Sequence, residues 1–352
     1  MLDFNKFTEA CCNVFAGKPR KEQKSLNDAA GTIIDIDDEQ AVRTLCREVF
    51  PKDGQMPSPD TLWKFNTVLV QVAEQFIVKP NFDQIFGAIA TTQQVDKNTS
   101  LIEYTVEKDY NIQFSMIANS SGHKLVKIGD SGKVAQVPFT IGFGITYDPL
   151  TKTMDEIDWF NKAVREIGRA ENAYIYNHCL KLLKAAGALP TNNVKEAAGL
   201  KYADVRELAS VLRRRTGGRP VLLADEVMLD SLARDMATGD AYVTKLMFDG
   251  LAQELFGSYA PSNFGTFDGV VLDNPYISDK NDKVAMPVNE GIMYGSSSSY
   301  KPLAVTKIGT MTQKTNTELK NNRVQMWVEQ ELAITLLYPQ FIGFVKDTSL
   351  SL

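Results

Sequence analysis

Two glycine-containing stretches of the sequence carry residue types that can do chemistry. GDSGK at 129–133 contains the serine of a GDSGG-type nucleophile loop, and RRRTGGRPVLLAD at 213–225 begins with a dense arginine cluster. A serine nucleophile needs an imidazole base that a carboxylate orients. Of the two histidines in the chain, His123 lies too close before the serine for the order of trypsin-like proteases, and His178 lies inside a predicted helix. The stretch GDSGK therefore predicts a turn between two strands.

Neither stretch has the spacing of a phosphate-binding loop. A P-loop has four residues between its glycines and then Lys-Ser/Thr, whereas GDSGK has a shorter gap and a valine after the lysine. GFG at 142–144 lacks the third glycine of a dinucleotide-binding fold. In RRRTGGRP the arginines fall in the last turn of a predicted helix, where cations complement the helix dipole, and the glycines end that helix. The cluster is therefore interpreted as a surface contact, with no catalytic role.

The possible metal ligands and thiols are also badly spaced for a site. DIDDE at 35–39 lacks the glycine and the terminal glutamate of a calcium loop and predicts the acidic first turn of a helix. No pair of cysteines has C-x-x-C spacing, which argues against a zinc ribbon or a disulfide framework and favours a reducing compartment. The four cysteines are Cys11, Cys12, Cys46 and Cys179. We expect no catalytic residue, no cofactor and no metal.

Composition is that of an ordinary soluble globular protein. The chain has 352 residues, of which 44% are hydrophobic and 23% charged, with 38 basic against 43 acidic side chains. This balance argues against a dedicated nucleic-acid-binding protein, whose domains carry a basic excess. The N-terminus has no basic start followed by an apolar run, and the longest apolar stretch, 333–345, is too short to span a bilayer. We expect a soluble, intracellular product.

Helical periodicity predicts six helices, one of them unusually long. The long helix, Thr153–Ala186, has a possible capping box at Thr153 and Glu156 and ends before Gly187, so it would extend roughly 50 Å at 1.5 Å per residue. The other five predicted helices are 3–15, 37–50, 61–76, 202–215 and 226–236.

Alternating and apolar segments predict the strands. Residues 101–147 predict a ribbon of two or three strands with a polar tip, and such a ribbon has little core of its own. Because an isolated hairpin is marginal in water, we expect another part of the structure or another chain to cover it. Further strands are predicted at 220–224, 265–272, 291–294 and 303–308, with a long closing strand and a last strand after Tyr338-Pro339.

The order of these elements resembles the major capsid fold of tailed phages, which encapsulin shells and the floor of herpesvirus capsids share. Five stretches are similar to the family in their amino-acid sequence as well as in their order along the chain. They are VPFTIGFGITYDPLTKTMDEIDW, ELASVLRRRTGGRPVLLADEVMLDSLARDMATGDAYV, ELFGSYAPSNFGTFDGVVLDNPYI, VNEGIMYGSSSSYKPLAVTKIG and NNRVQMWVEQELAITLLYPQFIGFV, and the resemblance covers residues 60–348.

The resemblance implies an α+β fold with an N-terminal arm, an extended hairpin loop, a long spine helix, a peripheral domain and an inserted axial domain. The implied division assigns 1–60 to the arm, 61–100 to the N-terminal helical part of the peripheral domain, 101–147 to the hairpin loop, 148–219 to the spine helix and peripheral domain, 220–310 to the axial domain and 311–352 to the return into the peripheral domain.

The same resemblance implies the major capsid protein of a tailed bacteriophage, which is not an enzyme. Its copies would assemble as hexamers and pentamers into an icosahedral head around double-stranded DNA. Implied partners are other copies of the chain, scaffolding and portal proteins, decoration proteins and DNA contacted without sequence specificity, and no membrane. The implied location is the virion, after assembly in the host cytoplasm. Contacts between subunits are expected at His123, Lys124, Lys127, Lys133, Trp159, Arg213, Arg214 and Arg215.

Three alternatives stay open at this point. An encapsulin-type compartment has the same fold with a protein cargo, although a long N-terminal arm favours the phage interpretation. A soluble enzyme that binds a phosphate ligand would use RRRTGGRP as its site. A tail-tube protein is mostly β and lacks such a long helix.

Overall fold

The computed structural model describes thirteen segments of the chain. They are residues 4–20, 26–27, 33–34, 37–50, 56–74, 86–87, 89–97, 102–107, 131–148, 156–238, 263–296, 300–318 and 323–351. Their helices are α1 (Phe4–Phe15), α2 (Asp38–Val49), α3 (Pro59–Ala73), α4 (Glu156–Leu183), α5 (Tyr202–Thr216) and α6 (Glu226–Thr238). Their strands are β1 (Leu26–Asn27), β2 (Ile33–Ile34), β3 (Ala90–Val95), β4 (Ile102–Glu107), β5 (Ser131–Gln136), β6 (Phe139–Tyr147), β7 (Val194–Ala197), β8 (Pro220–Ala224), β9 (Asp268–Val271), β10 (Glu290–Gly295), β11 (Leu303–Glu318), β12 (Arg323–Leu336) and β13 (Ile342–Asp347).

The α+β fold class and the six predicted helices are confirmed, with helix ends within one turn of those expected. Helix starts follow local chemistry, since the side chain of Asp37 accepts the N–H of Gln40 at 2.6 Å and Ser58 accepts that of Thr61 at 3.1 Å. Helix α4 has 28 residues and is therefore about 42 Å long. It ends at Leu183, just before the predicted end at Ala186, and Thr153 of the expected capping box lies outside the described residues.

The first two helices bury side chains in the same core as α3 and α4. Ala10, Val42 and Leu45 lie in one cluster with the buried residues of α3. Asp38, in the predicted acidic first turn of α2, is itself buried and accepts the N–H of Arg20 at 2.7 Å. The stretch predicted as an arm thus contributes to a folded core.

Two larger sheets organise the rest of the described chain. The four-stranded sheet has the order β3-β11-β12-β6, and the five-stranded sheet has the order β7-β13-β10-β8-β9. One buried cluster lies between α4 and both sheets, and a second lies between α5, α6 and the five-stranded sheet. The five-stranded sheet includes strands from three of the predicted domain segments, and the exact domain boundaries stay a prediction.

One strand prediction was wrong, and another is narrowed. Among the described residues the ribbon is the pair β4 and β5, within the predicted two or three strands, whereas β6, at the end of the predicted span 101–147, pairs with β12 in the four-stranded sheet. Strand β11 does not end at Ile308 but continues to Glu318 after an irregularity in its pairing between Ile308 and Thr312. Gly309, with φ +67°, lies at this irregularity, and a left-handed residue there hid the continuation of the strand in the sequence.

The base of the ribbon packs on the chain's own sheet, which supplies part of the cover that the ribbon was expected to need. Ile102 of β4 is buried with Ile308 and Ala333. The Thr306 hydroxyl donates to the side-chain oxygen of Gln136 at 2.6 Å, which ties β5 to β11. The ribbon therefore has an intrachain anchor.

The described residues contain no helix long and apolar enough to cross a membrane, and no cluster of three or more His, Cys, Asp and Glu side chains suited to a metal ion. All four cysteines are free and buried. Burial raises the pKa of the Cys179 thiol to about 12 and, with a smaller effect of Glu9, that of Cys12 to about 11. Protonated thiols are poor nucleophiles, so these side chains act as core residues.

The last strand ends in a carboxylate that holds the turn before α5. Asp347 is buried and accepts the N–H groups of Gly199 at 2.9 Å and Leu200 at 2.8 Å. It also accepts the N–H and the hydroxyl of Ser349. Burial raises its pKa, but these hydrogen bonds outweigh burial and leave the pKa below its ordinary value.

We expect Asp347→Asn to lower the free energy of unfolding at neutral pH by about 1–3 kcal/mol, because hydrogen bonds to a charged acceptor are lost. Since the pKa is lowered in the folded chain, the stabilisation is complete above the ordinary aspartate pKa and is lost as the pH falls through the lowered value. Urea unfolding of both chains over a range of pH measures the difference.

The control is Asp279→Asn, in an exposed loop, which should leave stability unchanged. If the difference in free energy of unfolding between wild type and Asp347→Asn stayed constant down to the lowest pH, stability would not depend on the protonation of Asp347, and the prediction would be wrong.

Candidate assembly surface

One half of the four-stranded sheet has an open outer face. Burial alternates along β12 and β6, and the inward side chains pack against α3 and α4. The base of the ribbon covers the outer face near the start of β11, but the half beyond the irregularity is exposed or half-buried. We call this half the distal sheet face, and it consists of Thr312, Lys314, Asn316, Gln325, Trp327, Glu329, Gly142, Gly144 and Thr146.

The distal sheet face is flat and carries one large apolar side chain. Trp327 is 40% exposed and lies opposite Gly144, where an added Cβ would stand 3.5 Å from the indole Cδ1. A Cβ at Gly142 would lie 2.9 Å from the carbonyl oxygen of Val328, closer than real contacts allow. Lys314 donates to both carboxylate oxygens of Glu329 at 2.8 Å. An exposed tryptophan within a satisfied polar rim is typical of an interaction surface.

A second apolar surface lies at the edge of the five-stranded sheet. Strand β9 is the last in the sheet order, and beyond a single bridge between Asn263 and Asp268 its outer side pairs with no strand among the described residues. Val270 and Val271 of β9 are exposed, as are Tyr276 and Ile277 in the segment that follows, and we call these four residues the β9 edge patch. Unprotected apolar edges are sites where another chain can pair or pack.

The arginine stretch ends a helix, as predicted. Arg213, Arg214 and Arg215 are exposed in the last turn of α5. Gly217 adopts φ +74° and donates its N–H to the carbonyl of Arg213 at 2.8 Å. The fourth arginine, Arg219, pairs with Asp268 of β9 at 2.9 Å. This ion pair links Arg219 to the edge strand. Contact of Arg213, Arg214 and Arg215 with another chain stays a prediction.

Of the other residues predicted to contact a neighbouring subunit, only some lie in the part of the chain that the structure describes. His123, Lys124 and Lys127 lie outside the described residues. Lys133 is exposed on β5, and its Nζ lies 2.8 Å from the carboxylate of Glu103 on the paired strand.

Trp159 packs within the chain's own core. Its ring centroid is 5.0 Å from that of Phe50, 5.7 Å from Phe65 and 5.4 Å from Tyr147. This intrachain cluster accounts for the tryptophan without a neighbour, since aromatic rings at such distances stabilise one another. Its contact with another subunit is untested.

The residues that suggested serine chemistry are structural. Ser131 begins β5 and pairs with Glu107 in the ribbon ladder. His178 lies in α4 and stacks on Phe139 with centroids 4.6 Å apart. Its pKa is lowered by burial and by the charge of Lys181.

Sequence reasoning missed the distal sheet face and the β9 edge patch. The sequence does contain a signal for the distal sheet face, because every second residue of β6 from Thr140 to Thr146 is threonine or glycine. Strand β11, which pairs with β12 in this half of the sheet, was cut short at Ile308, so the extent of the sheet could not be predicted. The β9 edge required the strand order, which the sequence does not contain.

We expect Trp327→Ser to weaken self-association while leaving the subunit folded, because a partly exposed indole contributes more to an interface than to the core. Truncating a central interface residue costs about 2 kcal/mol or more, which corresponds to at least a tenfold rise in the concentration needed for association. Light scattering against concentration measures this.

The matched control is Trp63→Ser on α3, where the ring is 50% exposed but lies off the distal sheet face. If both variants lost association equally, or if neither lost it, the distal sheet face would have no specific role in association.

Comparisons with known proteins identify the family. The family described as "SPbeta prophage-derived putative capsid protein YonB" matches residues 8–346. A protein of Bacillus subtilis (strain 168), "SPbeta prophage-derived uncharacterized protein YonB", is 30% identical over 317 residues, which are 89% of this chain and 93% of that protein.

Solved structures with a similar fold come from phage capsids and a related particle. The mature capsid of bacteriophage PhiM1 is 10% identical with a TM-score of 0.48, over 76% of this chain and 87% of that chain. The capsid of cyanophage P-SCSP1u is 7% identical with a TM-score of 0.48, over 76% and 88%. A virus-like particle from Pyrococcus furiosus is 11% identical with a TM-score of 0.39, over 82% and 98%.

The family match spans nearly the whole chain, including both sheets and the distal sheet face. It assigns a structural, non-enzymatic role, in agreement with the buried thiols and the strand position of Ser131. The chain belongs to the YonB family of prophage-derived capsid proteins.

Proposed function

We propose that this chain is the major capsid protein of a tailed bacteriophage and that its copies assemble as hexamers and pentamers into an icosahedral head around double-stranded DNA. The observation that carries the proposal is the match to a capsid family over residues 8–346. The shell would place the protein in the virion, after assembly in the host cytoplasm.

The exposed surfaces support self-association. The distal sheet face presents Trp327, and the β9 edge patch presents four apolar side chains beside an edge strand. Exposed apolar side chains and a sheet edge are liabilities for a monomer, and burial against identical neighbours removes them. Two separate surfaces are needed for a closed shell, because each subunit must contact more than one neighbour.

Other partners follow from the chemistry of a shell. A net charge of −5 argues against tight binding of nucleic acid by the whole chain, so contact with the genome would be local and non-specific. Arg213, Arg214 and Arg215, exposed together at the end of α5, are the proposed basic contact with DNA or with acids of a neighbour. Scaffolding, portal and decoration proteins are the proposed protein partners.

Expression of the chain alone and together with the neighbouring prophage genes, followed by negative-stain electron microscopy, tests the function directly. We expect shells or capsomers. A protein that remains a small, monodisperse oligomer by light scattering at all salt concentrations would overturn the proposal.

Mass spectrometry of purified particles separates the phage head from an encapsulin-type compartment. Portal and tail proteins in the particles support the head. A packaged enzyme with no portal protein would assign the chain to the compartment.

Deleting residues 119–130, between β4 and β5, should leave the subunit folded but impair shells. The reason is that the described ribbon base keeps its own anchors, the burial of Ile102 and the hydrogen bond between Gln136 and Thr306. We expect an unfolding midpoint within a few degrees of wild type and a large loss of intact particles in micrographs. Particles of normal number and heat stability would show that this segment is not needed between subunits.

A further inference from the structure

Strand β6 forms an edge of the four-stranded sheet. It is last in the strand order and pairs with β12, so the other side of its backbone has no strand partner among the described residues. Its nine residues, FTIGFGITY, include no charged side chain and no proline, and its register with β12 is unbroken from Phe139 to Tyr147. Natural proteins block exposed sheet edges with charges, prolines and bulges. The edge of β6 has none of these and is open to another strand.

The apolar side chains beneath this edge are incompletely covered. Ile141, Phe143 and Ile145 lie on the core side of β6 but stay half-buried. Tyr174 of α4 is 44% exposed, and its ring centroid lies 6.4 Å from that of Phe139. A cavity of about 180 Å³ lies between these two elements and has Ile141, Phe143 and Tyr174 in its lining. A further strand beside β6 would extend the inner face of the sheet and cover this apolar surface.

The sequence of β6 is nearly symmetric about Phe143. Residues at equal distances before and after Phe143 are identical or closely similar. The pairs are Phe139 with Tyr147, Thr140 with Thr146, Ile141 with Ile145 and Gly142 with Gly144. In a contact with twofold symmetry, residue i of one copy lies opposite residue j of the other, and j lies opposite i. Two copies of β6 paired about Phe143 would therefore set like against like at every position.

We propose that β6 pairs in the antiparallel direction with β6 of a second copy, about a twofold axis at Phe143. Alternate residues of β6 direct their N–H and C=O groups to the open edge, and the second copy would complete the ladder. The four-stranded sheets of the two copies would then form one continuous sheet. The inference rests on the proposed function, because it deepens the self-association proposed there.

The two faces of the strand specify this register. Opposing residues of an antiparallel pair point to the same face of the sheet, and pairing about Phe143 puts Thr140 against Thr146 on the outer face. A slip by one residue would turn the core face of the second copy to the outside. A slip by two residues would set Thr140 against Gly144 and leave Thr146 with no opposing residue of β6.

A second copy fits this edge better than an unrelated segment. The strand is uncharged, so two copies meet without repulsion between like charges, and opposed threonines and isoleucines form favourable cross-strand pairs. A twofold pair is also closed, since each copy uses its open edge once, and the contact does not continue into a fibre. An icosahedral shell contains such twofold contacts.

Crosslinking of two single-cysteine variants tests both the contact and its register. Thr140 and Thr146 are exposed, and all four native cysteines are buried. In the proposed pair, position 140 of one copy faces position 146 of the other, whereas the two copies of position 140 stand about 20 Å apart. We mix equal amounts of Thr140→Cys and Thr146→Cys, add a short bis-maleimide and measure covalent dimers on a denaturing gel. We expect at least tenfold more dimer from the mixture than from either variant alone.

The same gel gives the result that would overturn the proposal. Both variants should first unfold at the wild-type temperature, which shows that the subunit is intact. No dimer from the mixture at concentrations up to those used for micrographs, or equal dimer from one variant alone, would rule out this pairing. Failure of the proposed function is a separate result, because it appears as an absence of particles in micrographs whether or not the crosslink forms.

Discussion

The fold depends on the burial of one face of helix α4 against two different cores. Near its start, Val164 and Ile167 pack with the N-terminal helices and β12. Further along, Ile175, Tyr176 and Cys179 pack against strands of both larger sheets. A helix of about 42 Å can join these cores because its stripe repeats at helical spacing over its length. The relative positions of the two sheets follow from this one element.

The inner face of the four-stranded sheet is specified by polar contacts as well as by apolar burial. Asn66 of α3 is fully buried, donates to the hydroxyl of Thr315 at 2.9 Å and accepts that of Tyr147 at 3.0 Å. These bonds join one helix to both β11 and β6 and fix the register of the sheet against the helix, since a buried amide tolerates no other arrangement. The distal sheet face is not covered by a helix or by the ribbon and is available to a neighbour.

Much of the architecture could be predicted, because the elements carry strong local signals. Asp37, Ser58 and Gly217 mark helix ends, and VLLAD after Pro220 is an apolar run of strand length. The length of strand β11 was underestimated because the strand passes a left-handed glycine and its second half consists largely of polar residues. Pairing partners depend on contacts distant in sequence, which is why β6 was placed in the ribbon.

The candidate surfaces were less predictable than the fold. Arg213, Arg214 and Arg215 were found from charge alone, whereas the exposure of Trp327 depends on which face of β12 the helices cover. Trp159 was expected at a contact between subunits, but its neighbours in the core come from three other elements and a sequence pattern cannot show them. A small cavity beside Glu171 is lined by residues from α4, β6, β11 and β12 and exists only after folding.

The buried cysteines have a consequence for a particle that moves between environments. In the proposed role, the particle would form in a reducing cytoplasm and persist in an oxidising medium after lysis. All four thiols of this chain are enclosed, and burial keeps Cys11, Cys12 and Cys179 protonated at neutral pH. Oxidants act on accessible thiolates. The folded subunit therefore presents no accessible cysteine thiolate to an oxidant.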